Sequence, residues 1–185
     1  MRDRVLSAVA LGCFCVLAAG TLRAQSDADK QFLATASQGD FNEIHLSQLA
    51  AKRSSNPDVR ALANKMVNDH KMLEQNMSGF AEKFGVEPAD QMDDQHKAEL
   101  HKLGGMSGTD FDKEYMSTMV ADHHAALAAF QAELQVASNP DFKRGVEGGE
   151  KVIAEHTQMA DALNAKVANA PPTTPTAPSP SSRHK

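Results

Sequence analysis

Four polar side chains interrupt apolar stripes that recur with helical spacing along the chain. They are Glu43, His70, His123 and His156. Imidazoles and carboxylates in the core of a helical bundle are costly unless they hydrogen-bond to one another or share a metal ion. Neutral imidazole suits Zn, Cu, Fe and Ni, and a carboxylate compensates the charge of the ion. These residues therefore predict a transition-metal site for Zn, Cu or Fe, and a metal-free hydrogen-bonded cluster is the alternative.

Three further acidic residues lie close to these histidines in sequence. Glu74 follows His70 by one helical turn and is a further candidate ligand. Asp69 and Asp122 directly precede His70 and His123, in two matching runs of the form Met-Val-x-Asp-His. We predict that these two aspartates accept hydrogen bonds from the histidines and fix their tautomers. The alternative is that both lie on a solvated helix face.

Methionines offer a second set of candidate ligands. Met66, Met119 and Met159 each lie one helical turn from one of the core histidines, which would suit copper or haem iron. Methionine is also a common core residue, which is the alternative. His96 and His101 lie on a polar segment and are predicted to be solvated.

Four long stretches of helical periodicity must position these residues. In each stretch the apolar positions alternate in steps of three and four residues, which is typical of antiparallel helices that pack nearly parallel to one another. The predicted helices span about 29–53, 58–84, 109–137 and 141–168, and a short polar helix spans about 93–103. Pro57, Pro88 and Pro140 lie between these stretches and punctuate them.

The string Ser-Asn-Pro-Asp occurs at 55–58 and again at 138–141, and each copy joins two long helices by a tight turn. The chain is therefore predicted to form two helical hairpins. About 25 residues connect the hairpins, which favours the long crossover of ferritin-like bundles over an up-down-up-down bundle with a decorated loop. The predicted fold is all-α: a ferritin-like four-helix bundle of two helical hairpins with a long crossover containing a short helix.

Counting along the helices places the four polar residues at similar depths. At about 1.5 Å per residue, Glu43 and His70 lie about 20 Å from the turn between their helices. His123 and His156 lie about 25 Å from theirs. If both turns lie at one end of the bundle, the four side chains converge within one layer about 5 Å thick.

Composition and the absence of certain motifs argue against several classes of protein. The chain has 185 residues, of which 23% are charged and 5% aromatic, and its formal charge is −5. This balance argues against a multispan membrane protein, a nucleic-acid binder and a β-sandwich. No Glu-x-x-His string occurs, so a dinuclear carboxylate oxidase is not expected. There is no nucleophile elbow or phosphate loop, and the sequence favours a non-enzymatic role.

The two ends differ from the middle in composition. Residues 1–24 combine early arginines, an apolar run and a small-residue end, which predicts a cleavable secretory signal that carries away Cys13 and Cys15. Retention as an anchor, or lipidation at Cys13, is the alternative. After cleavage no stable transmembrane segment is expected. Residues 25–168 form the bundle domain, and residues 169–185 are Pro-rich and predicted to be disordered.

With these motifs in view, the chain resembles the bacterial domain-of-unknown-function family 4142. The resemblance covers about residues 29–167 and rests on the phrases at 40–44, 66–70, 111–115 and 119–123. It implies a ferritin-like bundle exported to the periplasm or outer envelope, often described as an outer-membrane protein, and it implies no activity. Gly148 and Gly149 depart from the helix formers expected there and predict a kink or a close backbone approach near His156.

Two functions follow from these observations. In the first, an exported bundle holds a transition metal in its core for storage, sequestration or envelope stress protection. In the second, a metal-free structural or stress-related bundle acts through its surface on an envelope protein, and its histidines form a hydrogen-bonded cluster.

Overall fold

The computed structural model describes the backbone of residues 16–169 and the side chains of residues 27–169. All regular structure in this part of the chain is α-helical, which confirms the all-α prediction. The helices are α1 (Val16–Arg53), α2 (Pro57–Phe84), α3 (Asp94–Gly104), α4 (Gly108–Val136) and α5 (Pro140–Ala168). None of the helices in the described range is long and apolar enough to cross a membrane.

The repeated Ser-Asn-Pro-Asp string starts α2 and α5. The Asn56 side chain accepts a hydrogen bond from the backbone N–H of Asp58, and that of Asn139 accepts one from Asp141. The proline after each asparagine is the first residue of the helix, where its missing N–H costs nothing. These caps fix where each hairpin turns.

The start of α1 differs from the prediction. The helix begins at Val16 rather than near Asp29, because no glycine or proline interrupts residues 21–29. The predicted cleavage point after Ala24 lies in the part of α1 whose side chains are not described. Residues 1–15, with both cysteines, and residues 170–185 of the predicted tail lie outside the described chain, so the signal and the tail stay predictions.

The two hairpin turns lie at opposite ends of the bundle, so the assumption that they share one end is wrong. Ser54, in the first turn, donates a hydrogen bond to Asp112 near the start of α4 (2.5 Å). At the other end, the ring of Phe32 in α1 contacts that of Phe130 near the end of α4, with centroids 4.9 Å apart. The helix directions are therefore up, down, down and up for α1, α2, α4 and α5.

This arrangement has the long crossover of a ferritin-like bundle. The connection from α2 to α4 runs the length of the bundle and contains α3, which packs on α1 and α4. Each helix packs against antiparallel neighbours, while α2 and α4 lie on a diagonal and run parallel. The polar residues still meet, because the helices are about 42 Å long. A residue about 25 Å from one end of such a helix is less than about 20 Å from the other end, so both pairs lie near the middle of the bundle.

A polar layer divides the apolar core in two. The upper core lies at the Ser54 end and is built from all five helices; its largest side chains are Tyr115, Phe111, Leu46, Met66, Leu103, Met116 and Met119. The lower core lies at the opposite end and contains Phe32, Leu33, Leu73, Met77, Phe130, Ala137, Phe142, Val146 and Ile153. The three core histidines lie between them.

Of the two effects predicted for Gly148 and Gly149, the structure shows a close approach between helices and no break in α5. Gly149 is buried, and a Cβ atom built there would lie 2.5 Å from Cε1 of Phe130. Gly148 is exposed, and a Cβ atom there would meet nothing within 4 Å. Only Gly149 is therefore needed for α4 and α5 to pack in the lower core.

We expect opposite effects from alanine at these two glycines. Gly148→Ala should raise the free energy of unfolding by up to about 1 kcal/mol, because alanine is the better helix former. Gly149→Ala should lower it by about 1–3 kcal/mol, because Phe130 must move. Urea unfolding of both variants measures the difference. Equal stabilisation by the two substitutions would contradict the close approach.

Two carboxyl groups hydrogen-bond to each other in the lower part of the bundle. Asp29 of α1 and Glu133 of α4 are each 5% exposed. Burial, followed by the hydrogen bond and charge of Asp29, raises the pKa of Glu133 to about 7. The pair therefore holds a proton in the folded protein that the unfolded chain releases at lower pH.

This proton makes stability depend on pH. Between pH of about 4.5 and about 7 the folded state binds more protons at Glu133 than the unfolded state, so raising the pH through this window lowers stability. Glu133→Gln should remove this contribution and gain stability relative to wild type as the pH rises. Denaturant unfolding from pH 4.5 to 8 measures the difference, with the exposed Glu147→Gln as control. Parallel pH profiles for wild type and Glu133→Gln would rule out the shared proton.

Candidate metal centre

Three histidines from three helices meet between the two apolar cores. His70 of α2, His123 of α4 and His156 of α5 are 2%, 1% and 0% exposed. Their ring centroids are 5.3–5.5 Å apart. One nitrogen of each ring lies within 4.8 Å of the corresponding nitrogens of the other two. We call these three residues the histidine triad.

Two of the three rings are held from outside by carboxylates. Nδ1 of His70 lies 2.8 Å from Oδ1 of Asp40 on α1. Nε2 of His156 lies 2.8 Å from Oδ2 of Asp69 on α2, and Lys65 donates a hydrogen bond to the same oxygen (2.8 Å). Each bond joins two neighbouring helices and occupies only one nitrogen of the ring.

His123 is held by the backbone of its own helix. Its Nδ1 lies 2.9 Å from the carbonyl oxygen of Met119, which can only accept, so Nδ1 carries the proton. Its Nε2 therefore carries a lone pair when the ring is neutral, and it lies 3.4 Å from Nε2 of His70. Two nitrogens at about 2.0–2.1 Å from one tetrahedral Zn would be about 3.4 Å apart. This pair therefore has the spacing of two ligands of one ion.

The triad is neutral at physiological pH. Burial lowers the pKa of His70 to about 4. Burial, together with the neighbouring His70 and His156, lowers the pKa of His123 to about 3. Burial also lowers the pKa of His156, and the hydrogen bond that His156 donates to Asp69 opposes this shift. Neutral imidazole is the form that binds metal ions.

One buried nitrogen of the triad has no partner. Nε2 of His156 is bonded to Asp69, and its Nδ1 has no hydrogen-bond partner among the described residues. Partial burial alone would raise the pKa of Asp69, but hydrogen bonds from Lys65 and His156 lower it, so the carboxylate is ionised and accepts. Nδ1 of His156 is therefore a buried lone pair without a donor.

The predicted ligand Glu43 lies beside the triad, on its outer side. Its Oε1 is 3.7 Å from Nδ1 of His123, the nitrogen that faces away from the other two rings. The reason is that α1 packs on the outward edge of His123. Burial, then the charges of Asp122 and Asp40, raises the pKa of Glu43 well above its usual value. Each triad ring thus has a carboxyl group of another helix beside it.

The other predicted site residues have different positions. Glu74 lines a separate cavity between α1 and α2, together with Asp40. Asp69 contacts a triad histidine as predicted, although the ring belongs to α5 rather than to its own helix. Asp122 faces away from the triad, and its Oδ2 lies 3.4 Å from Nε2 of His96 on α3. The buried Met66 and Met119 pack in the upper core.

Sequence reasoning missed two residues of this site. Asp40, which holds His70, lies four residues after Ala36 and three before Glu43, so it could have been placed at the edge of the same stripe. His96 is not solvated as predicted, because its side chain is only 16% exposed and its Nδ1 lies 2.8 Å from Asp93. Asp93 caps α3, and a cap three residues before a histidine was the available signal.

Solved structures with this fold were found by comparison of the coordinates. A DUF305 fragment from Deinococcus radiodurans has a TM-score of 0.66 at 16% identity, covering 75% of this chain and 96% of that chain. A candidate secreted DUF305 protein from Streptomyces coelicolor has a TM-score of 0.65 at 17% identity, covering 76% of this chain and 92% of that chain. At these identities the likeness establishes a shared fold.

A third solved structure carries the fold name. It is a two-domain protein from Anabaena variabilis with DJ-1/ThiJ/PfpI-like and ferritin-like domains, with a TM-score of 0.58 at 14% identity. The match covers 82% of this chain and 40% of that chain. The ferritin-like fold prediction is therefore confirmed.

Comparison with curated proteins finds no significant match. The family model described as "Domain of unknown function (DUF4142)" matches residues 17–163, which include all five helices apart from the extreme ends of α1 and α5. The chain therefore belongs to the DUF4142 family, as its motifs predicted.

Proposed function

We propose that this protein is an exported helical bundle that binds one transition-metal ion through His70, His123 and His156. The ion would be Zn, Cu or Fe, and its binding would serve storage, sequestration or protection of the envelope from metal stress. The observation that carries the proposal is the convergence of three buried rings, with one nitrogen of each within 4.8 Å of the others and with Nδ1 of His156 lacking a hydrogen-bond partner among the described residues.

The electronic state of the triad supports this proposal. With Nδ1 of His123 donating to Met119 and Nε2 of His156 donating to Asp69, the other nitrogens of these two neutral rings are lone pairs that carry no proton. An unpaired buried acceptor costs about 1–3 kcal/mol. A cation between the rings would satisfy these lone pairs, and the nearby carboxyl groups of Asp40, Glu43 and Asp69 would balance its charge.

Export is supported by two observations. The N-terminal 24 residues have the order of a secretory signal, with basic residues, an apolar run and a small-residue end. One structural neighbour is described as a candidate secreted protein. A periplasmic or extracellular envelope location would expose the protein to metal ions that the cytoplasm buffers.

The metal-free cluster is the second candidate, and Asp40 is the residue that favours it. Burial, then the charge of Glu74, raises the pKa of Asp40 well above its usual value. A protonated Asp40 would donate a hydrogen bond to Nδ1 of His70. The neutral ring of His70 would then carry its proton on Nε2 and donate it to Nε2 of His123. This arrangement pairs two rings and still leaves Nδ1 of His156 without a partner.

Metal binding can be separated from the metal-free cluster by substitution of two ligands. Wild-type protein should contain about one ion per chain and gain about 2.7 kcal/mol of stability at a metal concentration 100 times Kd. His70→Leu/His156→Leu should lose both the ion and this gain, because only one ligand remains. Elemental analysis after native purification, and thermal unfolding with Zn, Cu or Fe salts, provide the measurements.

The matched control is His124→Leu, since His124 is also paired with a carboxylate (Asp161) but is exposed. It should bind metal like the wild type. Native protein with far less than one ion per chain, and no stabilisation by any of the three salts, would favour the metal-free cluster. In that case the double leucine variant should keep or gain stability.

Asp69 should tune the affinity of the triad. Asp69→Ala removes the acceptor that orients His156, and we expect Zn affinity to fall by about 10- to 100-fold. Competition with a chromogenic chelator measures the Kd. Asp161→Ala, which frees the exposed His124, serves as control and should leave the Kd unchanged. An unchanged Kd in Asp69→Ala would show that this bond does not orient a ligand.

A further inference from the structure

A cavity of about 500 Å³ opens between α1, α3 and α4 and reaches the histidine triad. Its polar lining includes Glu43, Asp93, His96 and Asp122, and its inner end is lined by His70 and His123. Its apolar walls belong to the lower core, where small residues of α1 and α4 leave space between the helices. We call this cavity the vestibule.

Carboxyl side chains dominate the charged lining of the vestibule. Among the described residues, four carboxyl groups line it and no lysine or arginine does; the four are Asp40, Glu43, Asp93 and Asp122. A cleft lined by one sign of charge between low-dielectric walls focuses the field and concentrates counter-ions. The vestibule therefore favours a cation over a neutral or anionic ligand.

Two of these carboxyl groups have buried oxygens that accept no hydrogen bond from the described residues. Glu43 is 5% exposed, and neither of its oxygens has a hydrogen-bond partner in the described part of the chain. Oδ2 of Asp122 is also buried and has no partner among the same residues, although it lies 3.4 Å from the ring of His96. Buried acceptors without donors are expensive, so both groups are suited to an incoming cation.

The acidic side chains of the vestibule become less exposed from Asp93 towards the histidine triad. The side chain of Asp93 is 38% exposed, that of Asp122 is 23% exposed, and that of Glu43 is 7% exposed. Beyond Glu43 lies His123, with its ring 1% exposed. Carboxyl groups thus extend from the solvent to a ring of the triad, and no lysine or arginine of the described residues lies between them.

The cavity on the other side of α1 is less suited to cations. It has a volume of about 320 Å³ and lies between α1 and α2. Its charged lining consists of Asp40 and Glu74 together with Lys71, whose ammonium group opposes a cation. The charge distribution therefore favours access through the vestibule.

We propose that the vestibule binds hydrated divalent cations from solution and passes them to the histidine triad. Asp93 and Asp122 attract the ion at the mouth, and Glu43 contacts it next to His123. The transfer to the triad rests on the metal-binding function proposed above, whereas cation binding in the vestibule does not.

The kinetics of Zn²⁺ uptake by the full chain test the route. Asp93→Asn/Asp122→Asn should slow association on the order of tenfold and weaken its salt dependence, with a much smaller change in dissociation. Asparagine at 93 preserves the cap of α3, which protects the fold. Stopped-flow mixing with a fluorescent Zn²⁺ chelator, at low and high salt, measures both rates.

The control is Glu82→Gln/Glu147→Gln, which removes the same net charge from exposed positions. Its association rate should stay within about twofold of wild type, because neither residue lines the vestibule and salt screens exposed charges. An unchanged rate in the Asp93/Asp122 variant would overturn the route, and so would a slowing by Glu74→Gln alone, since ions would then arrive between α1 and α2.

A second measurement separates the vestibule from the triad. In the His70→Leu/His156→Leu variant, Mn²⁺ should still broaden the NMR signals of His96 and of the Ala125 and Ala129 amides before others. Selective broadening in this variant, combined with a wild-type protein that takes up no Zn²⁺, would retain the vestibule and reject the metal-binding triad. Uniform or absent broadening, in this variant and in wild type, would reject the vestibule.

Discussion

The structure depends on the burial of three imidazoles and their carboxyl neighbours between two apolar cores. In water these groups would be solvated, and inside the bundle each one needs a partner placed by another part of the chain. Asp40 holds His70 across α1 and α2, and Asp69 holds His156 across α2 and α5. These bonds fix the register of the helices at the middle of the bundle. Hydrogen bonds have a defined geometry, whereas the apolar contacts in the two cores are less directional.

The topology explains why two similar sequence runs have different partners. The helices α2 and α4 run parallel on a diagonal, so their Met-Val-x-Asp-His runs place His70 and His123 at the same depth. The aspartate of each run lies on the flank of its helix. On α2 this flank faces α5, and Asp69 meets His156. On α4 it faces α3, and Asp122 meets His96 and lines the vestibule.

Much of the fold could be predicted from the sequence, because helical periodicity and the two Ser-Asn-Pro-Asp turns are local signals. The coming together of His70, His123 and His156 could be anticipated because depth along a helix is simple arithmetic. The end at which each turn lies could not, because it depends on the path of the crossover. The rotation of each helix could not be predicted from the sequence either, which is why Asp40 was not identified as the partner of His70.

The three histidines belong to both hairpins, and each of the three lies on a different helix. In an extended chain they are far apart, and no two lie at the spacing of a local chelating pair. A chain that is still unfolded therefore offers a metal ion no partial site, and the triad exists only after the hairpins have docked. An ion bound as proposed above would therefore enter the protein only after folding.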